Sequence, residues 1–202
     1  MPSSAGMELR VQINIWQNAK VLYDIILFVE RNTMSVGTMA FLILLLFVIH
    51  EFEEIIRVLP WIKKNESNPC LSKDTWIARK GSYPSTESIA TMIIEEIVFI
   101  GLVLFVGITL NTVEVIIAIA IINSIHLIGH IISGIKVHSW NPGSVTSTIT
   151  LPVNVMIIVF AMLNNGKPIL LAEMTIILGV VFVVNLIVLH KLADWINKIV
   201  NH

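Results

Sequence analysis

Residues 35–59 read SVGTMAFLILLLFVIHEFEEIIRVL. The run is apolar and long enough to cross a bilayer, whose hydrocarbon core takes about 20 residues of helix. Inside it sits His50-Glu51-Phe52-Glu53-Glu54. On a helix His50, Glu53 and Glu54 stand at i, i+3 and i+4 and project from one face. Ionisable groups are costly at membrane depth and turn toward a bundle interior or a wet cavity. This stretch therefore announces both a membrane bundle and a functional site within it.

The rest of the composition agrees. The chain has 202 residues, 55% of them hydrophobic and 13% charged, where a soluble domain is about a quarter charged. Mean hydropathy is +0.84. The fold class that follows is all-α: a polytopic membrane helical bundle. A net charge of -1 with no clustered basic face argues against a nucleic-acid partner; the partner is the lipid bilayer. Cys70 is the sole cysteine, which excludes an intrachain disulfide and a cysteine-based metal site. Asn14, Gln17, Asn18, Lys20 and Asp24 interrupt what would be the apolar core of a signal peptide.

Working outward, residues 11–31 place Arg10, Asn14, Gln17, Asp24 and Arg31 near one face and Val11, Ile15, Leu22, Ile26 and Val29 on another. This is an amphipathic helix expected at the interface, and it makes residues 1–34 a separate N-terminal element. The bundle is expected over 35–190. Pro60 closes the first span, and a polar loop over 60–88 follows, with Trp61 and Trp76 suited to the headgroup region. Four more spans are read at about Ile89–Leu110, Val113–Ile135, Thr148–Leu163 and from Pro168 to near His190. Asn111-Thr112 and Asn141-Pro142-Gly143 make reversals, and Pro152 with Asn154 interrupts the fourth span. Residues 191–202 form a C-terminal tail. The end of the bundle holding 61–88, 138–147 and the C-terminus collects most Lys and Arg, so it is expected in the cytoplasm.

The remaining buried polar groups fall in one layer near that end. His50 lies roughly 12 Å of helix rise from it. Glu95 and Glu96 enter from the second span, and Asn123, His126 and His130 line one stripe of the third. His190 closes the fifth on the same side. Imidazole and carboxylate together suit zinc or iron, and His/Glu or His/His pairs at i, i+4 let one helix supply two ligands. The expected metal ligands are His50, Glu54, Glu95, Glu96, His126 and His130, with Asn123 and His190 as additional donors. That supply is large enough for two ions, as in di-iron bundles. Glu53, left over on the same face, is the expected catalytic base or the residue that orients a ligand. Glu51 is read as off the main face, and Glu114 as interfacial or paired.

His50-x-x-Glu53-Glu54 near the end of a first apolar helix, with a later His126-x-x-x-His130, resembles the prokaryotic integral-membrane family named for its HXXEE motif. The resemblance covers roughly residues 35 to 190. It implies a bacterial plasma-membrane protein with the same helical layout and leaves the reaction open. The leading expectation is a metal-dependent enzyme, working on a lipid or other apolar substrate at the cytoplasmic side by hydrolysis with zinc or oxidation with iron. Paired glutamates with later histidines also resemble the CAAX-protease-like families, which implies a metal-free glutamate intramembrane protease. That motif places an arginine after the glutamate pair; here Arg57 follows Glu53-Glu54, and Glu95-Glu96 has none nearby. A divalent-cation or proton transporter or sensor is the third reading, and it would use a broken helix at Pro152.

Overall fold

The structure is a computed structural model and describes residues 34–68, 85–165 and 167–200, with side chains apart from those of 165 and 190–200. The expected helix over 11–31, Cys70, Trp76 and the side chain of His190 lie outside what is described. The chain divides into units at 1–34 and 35–202, and the second carries everything that follows.

Among the described residues there are five helices and no strands: α1 (Val36–Lys64), α2 (Thr86–Thr109), α3 (Val113–Lys136), α4 (Ser144–Asn165) and α5 (Pro168–Val200). Four of them, α2 to α5, are long and apolar enough to cross a membrane. Large apolar side chains such as Phe41, Phe105, Ile169 and Ile176 stand more than half exposed on the outside. In water such a surface would aggregate, whereas against lipid it is at home. These helices point to an integral membrane protein.

Local chemistry explains the helix ends. Ser35 caps α1 by accepting from the Thr38 amide at 3.0 Å, and Ser85 caps α2 by accepting from that of Ser88 at 3.3 Å. α1 does not stop at Pro60, as the sequence led us to expect, but runs one more turn to Lys64. Trp61 is buried there against Val137, and Asn65 closes the helix by donating from its side chain to the Trp61 carbonyl at 2.8 Å. Packing of the indole outweighs the amide that proline lacks. α2 and α3 both end on a left-handed residue, Asn111 and His138. In each case the next amide reaches back five residues, Thr112 to Gly107 and Ser139 to Gly134, the Schellman arrangement.

α3 is the centre. Half of its apolar span is buried, against 6% for α5, and it packs against each of the other four helices. α4 begins at Ser144, four residues before the expected Thr148, because Asn141-Pro142-Gly143 turns sooner than the polar composition implies. It is continuous through Pro152, so the broken helix that a transporter reading called for is not there. Asn154 is fully buried and joins α4 to α3, donating to Ala120 O at 2.8 Å and Ser124 Oγ at 2.9 Å. Asn154→Ala should destabilise the α3–α4 contact by about 1–2 kcal/mol. The check is thermal melting in detergent, where an unchanged midpoint would assign the contact to apolar packing alone. At the far end Glu114, 3% exposed, accepts from the Lys167 amide at 3.2 Å. It is paired, and it holds the start of α5.

Candidate metal centre

α1 and α3 bring three histidines together. His126 Nε2 lies 3.1 Å from His50 Nε2 and 3.2 Å from His130 Nε2. His50 and His130 are fully buried. One ligand atom from each ring falls within 4.8 Å of the others.

The surroundings decide which ring nitrogens carry hydrogen. His130 Nδ1 is 3.2 Å from the Pro142 carbonyl, which can only accept, so a hydrogen sits on Nδ1, and in the neutral ring, the form that ligates a metal, Nε2 is the bare nitrogen. His50 Nδ1 is 3.0 Å from Thr146 Oγ1. That hydroxyl donates to Glu53 Oε2 at 2.6 Å, so its oxygen accepts from His50 Nδ1, and in the neutral ring Nε2 is again the bare nitrogen. Two imidazole lone pairs thus face His126 Nε2, which has one hydrogen to offer at most. Tetrahedral ligands bonded at 2.0–2.1 Å stand roughly 3.3 Å apart, close to the spacing seen. The fixed Nδ1–H on the outer side is also how ligating histidines are held in metal sites.

Two carboxylates flank the rings. Glu54 Oε1 is 3.2 Å from His130 Nε2, and Glu51 Oε1 is 3.5 Å from His126 Nε2. Both are buried. When ionised, the two together match the charge of one divalent cation, the usual way to keep such charges stable in a low dielectric.

Several expectations change. Glu53 does not face the histidines. Its Oε1 pairs with Arg57 Nη1, and its Oε2 accepts from the amide of Thr146 at 2.8 Å and from its hydroxyl. It caps the first turn of α4 from across the bundle, an arrangement favoured by the helix dipole. The role of general base therefore does not fit Glu53. Glu51, read as off the face, turns inward instead. Successive residues step by about 100°, and α3 and α4 together cover an arc wide enough to engage both sides of His50.

Of the α2 pair, Glu95 accepts from Asn185 Nδ2 at 3.1 Å and serves the α2–α5 contact. Glu96 lines a cavity of about 320 Å³ between α1, α2, α3 and α5, together with Glu51, Glu54, Asn123 and His126. Asn123 lines the same cavity. Sequence reasoning missed Thr146, the Pro142 carbonyl and Gly143. The hydrogen bonds of Thr146 to Glu53 and His50 cross 93 and 96 residues, and no local signal marks them. Gly143 does have one: it follows Asn-Pro, and its φ of +83° needs glycine.

A bundle of apolar helices around a buried histidine–carboxylate cluster that could hold a metal ion defines the class of this protein. Residues 41–157 match the family described as "Protein of unknown function with HXXEE motif", and the chain belongs to that family. The match spans His50, Glu53, Glu54, His126, His130 and Thr146. Searches of curated proteins and of solved structures return no match.

Proposed function

We propose that this protein is a membrane-embedded metalloenzyme that hydrolyses a lipid-like substrate, with α1 as a fifth span and the site toward the cytoplasmic side. The observation that carries this reading is the pair of imidazole Nε2 atoms 3.1 and 3.2 Å from a third, beside a cavity lined by three carboxylates. One divalent ion is favoured over two, because Glu95 is engaged elsewhere and the three rings share one point.

A divalent ion here supplies Lewis acidity for hydrolysis, or redox chemistry if it is iron. The residues do the rest. His50, His126 and His130 hold the ion, and Glu54 completes the set. Glu51, in the looser contact and on the cavity wall, takes the proton from water. Thr146 and Glu53 position His50. The apolar walls keep bulk water from the reacting carbonyl and hold the alkyl chain.

The test is elemental analysis of the detergent-purified full chain beside His126→Ala, His130→Ala, Glu54→Gln and Glu51→Gln. One zinc per chain is expected, absent from both histidine variants, weakened in Glu54→Gln and retained in Glu51→Gln. Iron in place of zinc would redirect the chemistry to oxidation. No metal in the native chain, even after reconstitution, would sink the proposal.

A further inference from the structure

The cavity beside the metal centre has a way in, and it faces sideways. Of the three histidines only His126 keeps accessible surface, 19% of its side chain, and its ring lines the cavity. His50 and His130 keep none. Whatever reaches the centre therefore comes through this space. Toward the end of α1 that carries Lys63 and Lys64, the cavity is closed by Val58 of α1 packed with Ile89 and Ile93 of α2, all three buried. Toward the other end α2 and α3 lock together at Gly107, where a Cβ would lie 2.7 Å from Ile116 Cδ1. The wall made by α5 is different. Val183 and Ile187 line the cavity, yet they stand 56% and 51% exposed on the outside of the bundle. One layer of side chains separates the cavity from whatever surrounds α5.

What joins that wall to α2 is slight. α5 rests along α3, with little of its apolar span buried. The polar contact across the seam to α2 is a hydrogen bond from Asn185 Nδ2 to Glu95 Oε2 at 3.1 Å. Beside it Phe99 and Phe182 make a tilted ring pair with centroids 6.2 Å apart. Apolar contacts between helices gain little over contacts with lipid tails, so the polar bond does most to hold the seam shut. A bond of this kind shifts a helix–helix equilibrium by about 3–20-fold, enough to favour a closed seam and too little to lock it. Both sides of the seam lie inside the apolar spans Thr86–Thr109 and Pro168–Leu189. It parts into hydrocarbon, not into water.

We infer that the seam between α2 and α5 is a lateral portal, that Glu95 and Asn185 are its latch, and that it admits one hydrocarbon chain of a bilayer amphiphile. At about 30 Å³ for a water-sized group, the cavity volume of about 320 Å³ takes one chain of roughly ten carbons and leaves no room for a second. The inference deepens the proposed function and rests on it for the chemistry at the centre; the portal and its latch stand on the seam.

The experiment follows a diazirine-tagged dodecanol from vesicles into the full chain in nanodiscs, with photo-activation at set times after mixing. Mass spectrometry then maps the label on the cavity residues Ile122 and His126, and metal content is read on the same samples. The native chain is compared with Asn185→Leu, and with Glu95→Cys plus Asn185→Cys in a Cys70→Ser background, bridged by a short reducible dithiol reagent. The native chain should be labelled at both residues. Asn185→Leu should be labelled about 3–20-fold faster, to the native final extent and with its metal retained. The bridged chain should be labelled at least tenfold more slowly and recover when the bridge is reduced. A diazirine-tagged phosphatidylcholine, with two chains, should label the outer Val184 and Val188 and spare Ile122 and His126. Native-rate labelling of the bridged chain, no gain in Asn185→Leu, or no label on the cavity residues of the native chain would each overturn the inference. Cavity labelling by the two-chain lipid would overturn the single-chain assignment. If the bridged chain does not recover on reduction, Asn185→Leu alone decides; if Asn185→Leu does not fold, the bond is structural and the inference is lost. A chain that takes up the alcohol through the latch but holds no metal would count against the proposed function and leave the portal standing.

Discussion

Gly143→Ala should collapse the histidine cluster and lower the melting midpoint in detergent by roughly 10 °C. Gly143 holds φ at +83°, a region where an alanine costs about 1–3 kcal/mol. A Cβ built there would also overlap the His130 ring, reaching its Cε1 at 2.8 Å. The contact is with a ring wedged between α1 and α3, fully buried, and not with the free end of a flexible chain. Relief requires the ring to move, at a further cost of about 1–3 kcal/mol, and movement breaks the bond from His130 Nδ1 to Pro142 O that fixes its tautomer. Metal binding should fall with stability. A variant that melts within a degree or two of the native chain and keeps its metal would show that the 141–143 turn yields, and that the turn does not hold His130 in place.

Glu53→Ala has the second largest expected effect, and it separates two roles for that carboxylate. The substitution strands the Thr146 amide, leaves the Thr146 hydroxyl with the Gly143 carbonyl at 3.3 Å, and leaves Arg57 with its backbone contact to Trp140 at 3.4 Å. Arg57 is 37% exposed and Glu53 7%, so water takes over much of the ion pair and little is lost there. The cap on α4 is the larger loss, about 1–2 kcal/mol with its dipole contribution. Without Glu53 to take its hydrogen, the Thr146 hydroxyl is free to turn toward His50 Nδ1 and place the ring's hydrogen on the ligating nitrogen. Metal affinity should drop roughly 10–100-fold, the usual effect of removing an outer hydrogen-bond partner. Glu53→Gln should fall between, since it keeps an acceptor for Thr146 and loses the charge. A general base would behave otherwise. Glu53→Gln would then keep native melting and metal affinity and lose only turnover.

The elements most legible from sequence were those decided by composition and by helical period. Apolar runs of spanning length became α2 to α5, and the reversal read at Asn111-Thr112 ended α2. The layer of His50, His126 and His130 was legible too. Residue types costly in lipid were spaced at helical intervals and at matching depths, and burial allows them few places other than against one another. Less legible were the ends that tertiary packing overrides. Trp61 draws α1 past Pro60, and the turn at Gly143 lengthens α4.

The carboxylates mark the boundary between the two kinds of information. Position along a helix gives each side chain an angle, and His50, Glu51, Glu53 and Glu54 span a wide arc of α1. Which of those angles faces the centre depends on where α3 and α4 pack, and that is not written in α1. So the sequence alone determined an all-α bundle of apolar helices with a histidine–glutamate layer near one end. Only the tertiary structure decided that Glu51 and Glu54 turn toward the histidines, that Glu53 serves the start of α4, and that Asn123 lines a cavity. The physical reason is that periodicity is a property of one helix, whereas a hydrogen bond between Glu53 and Thr146 exists only once two helices have met.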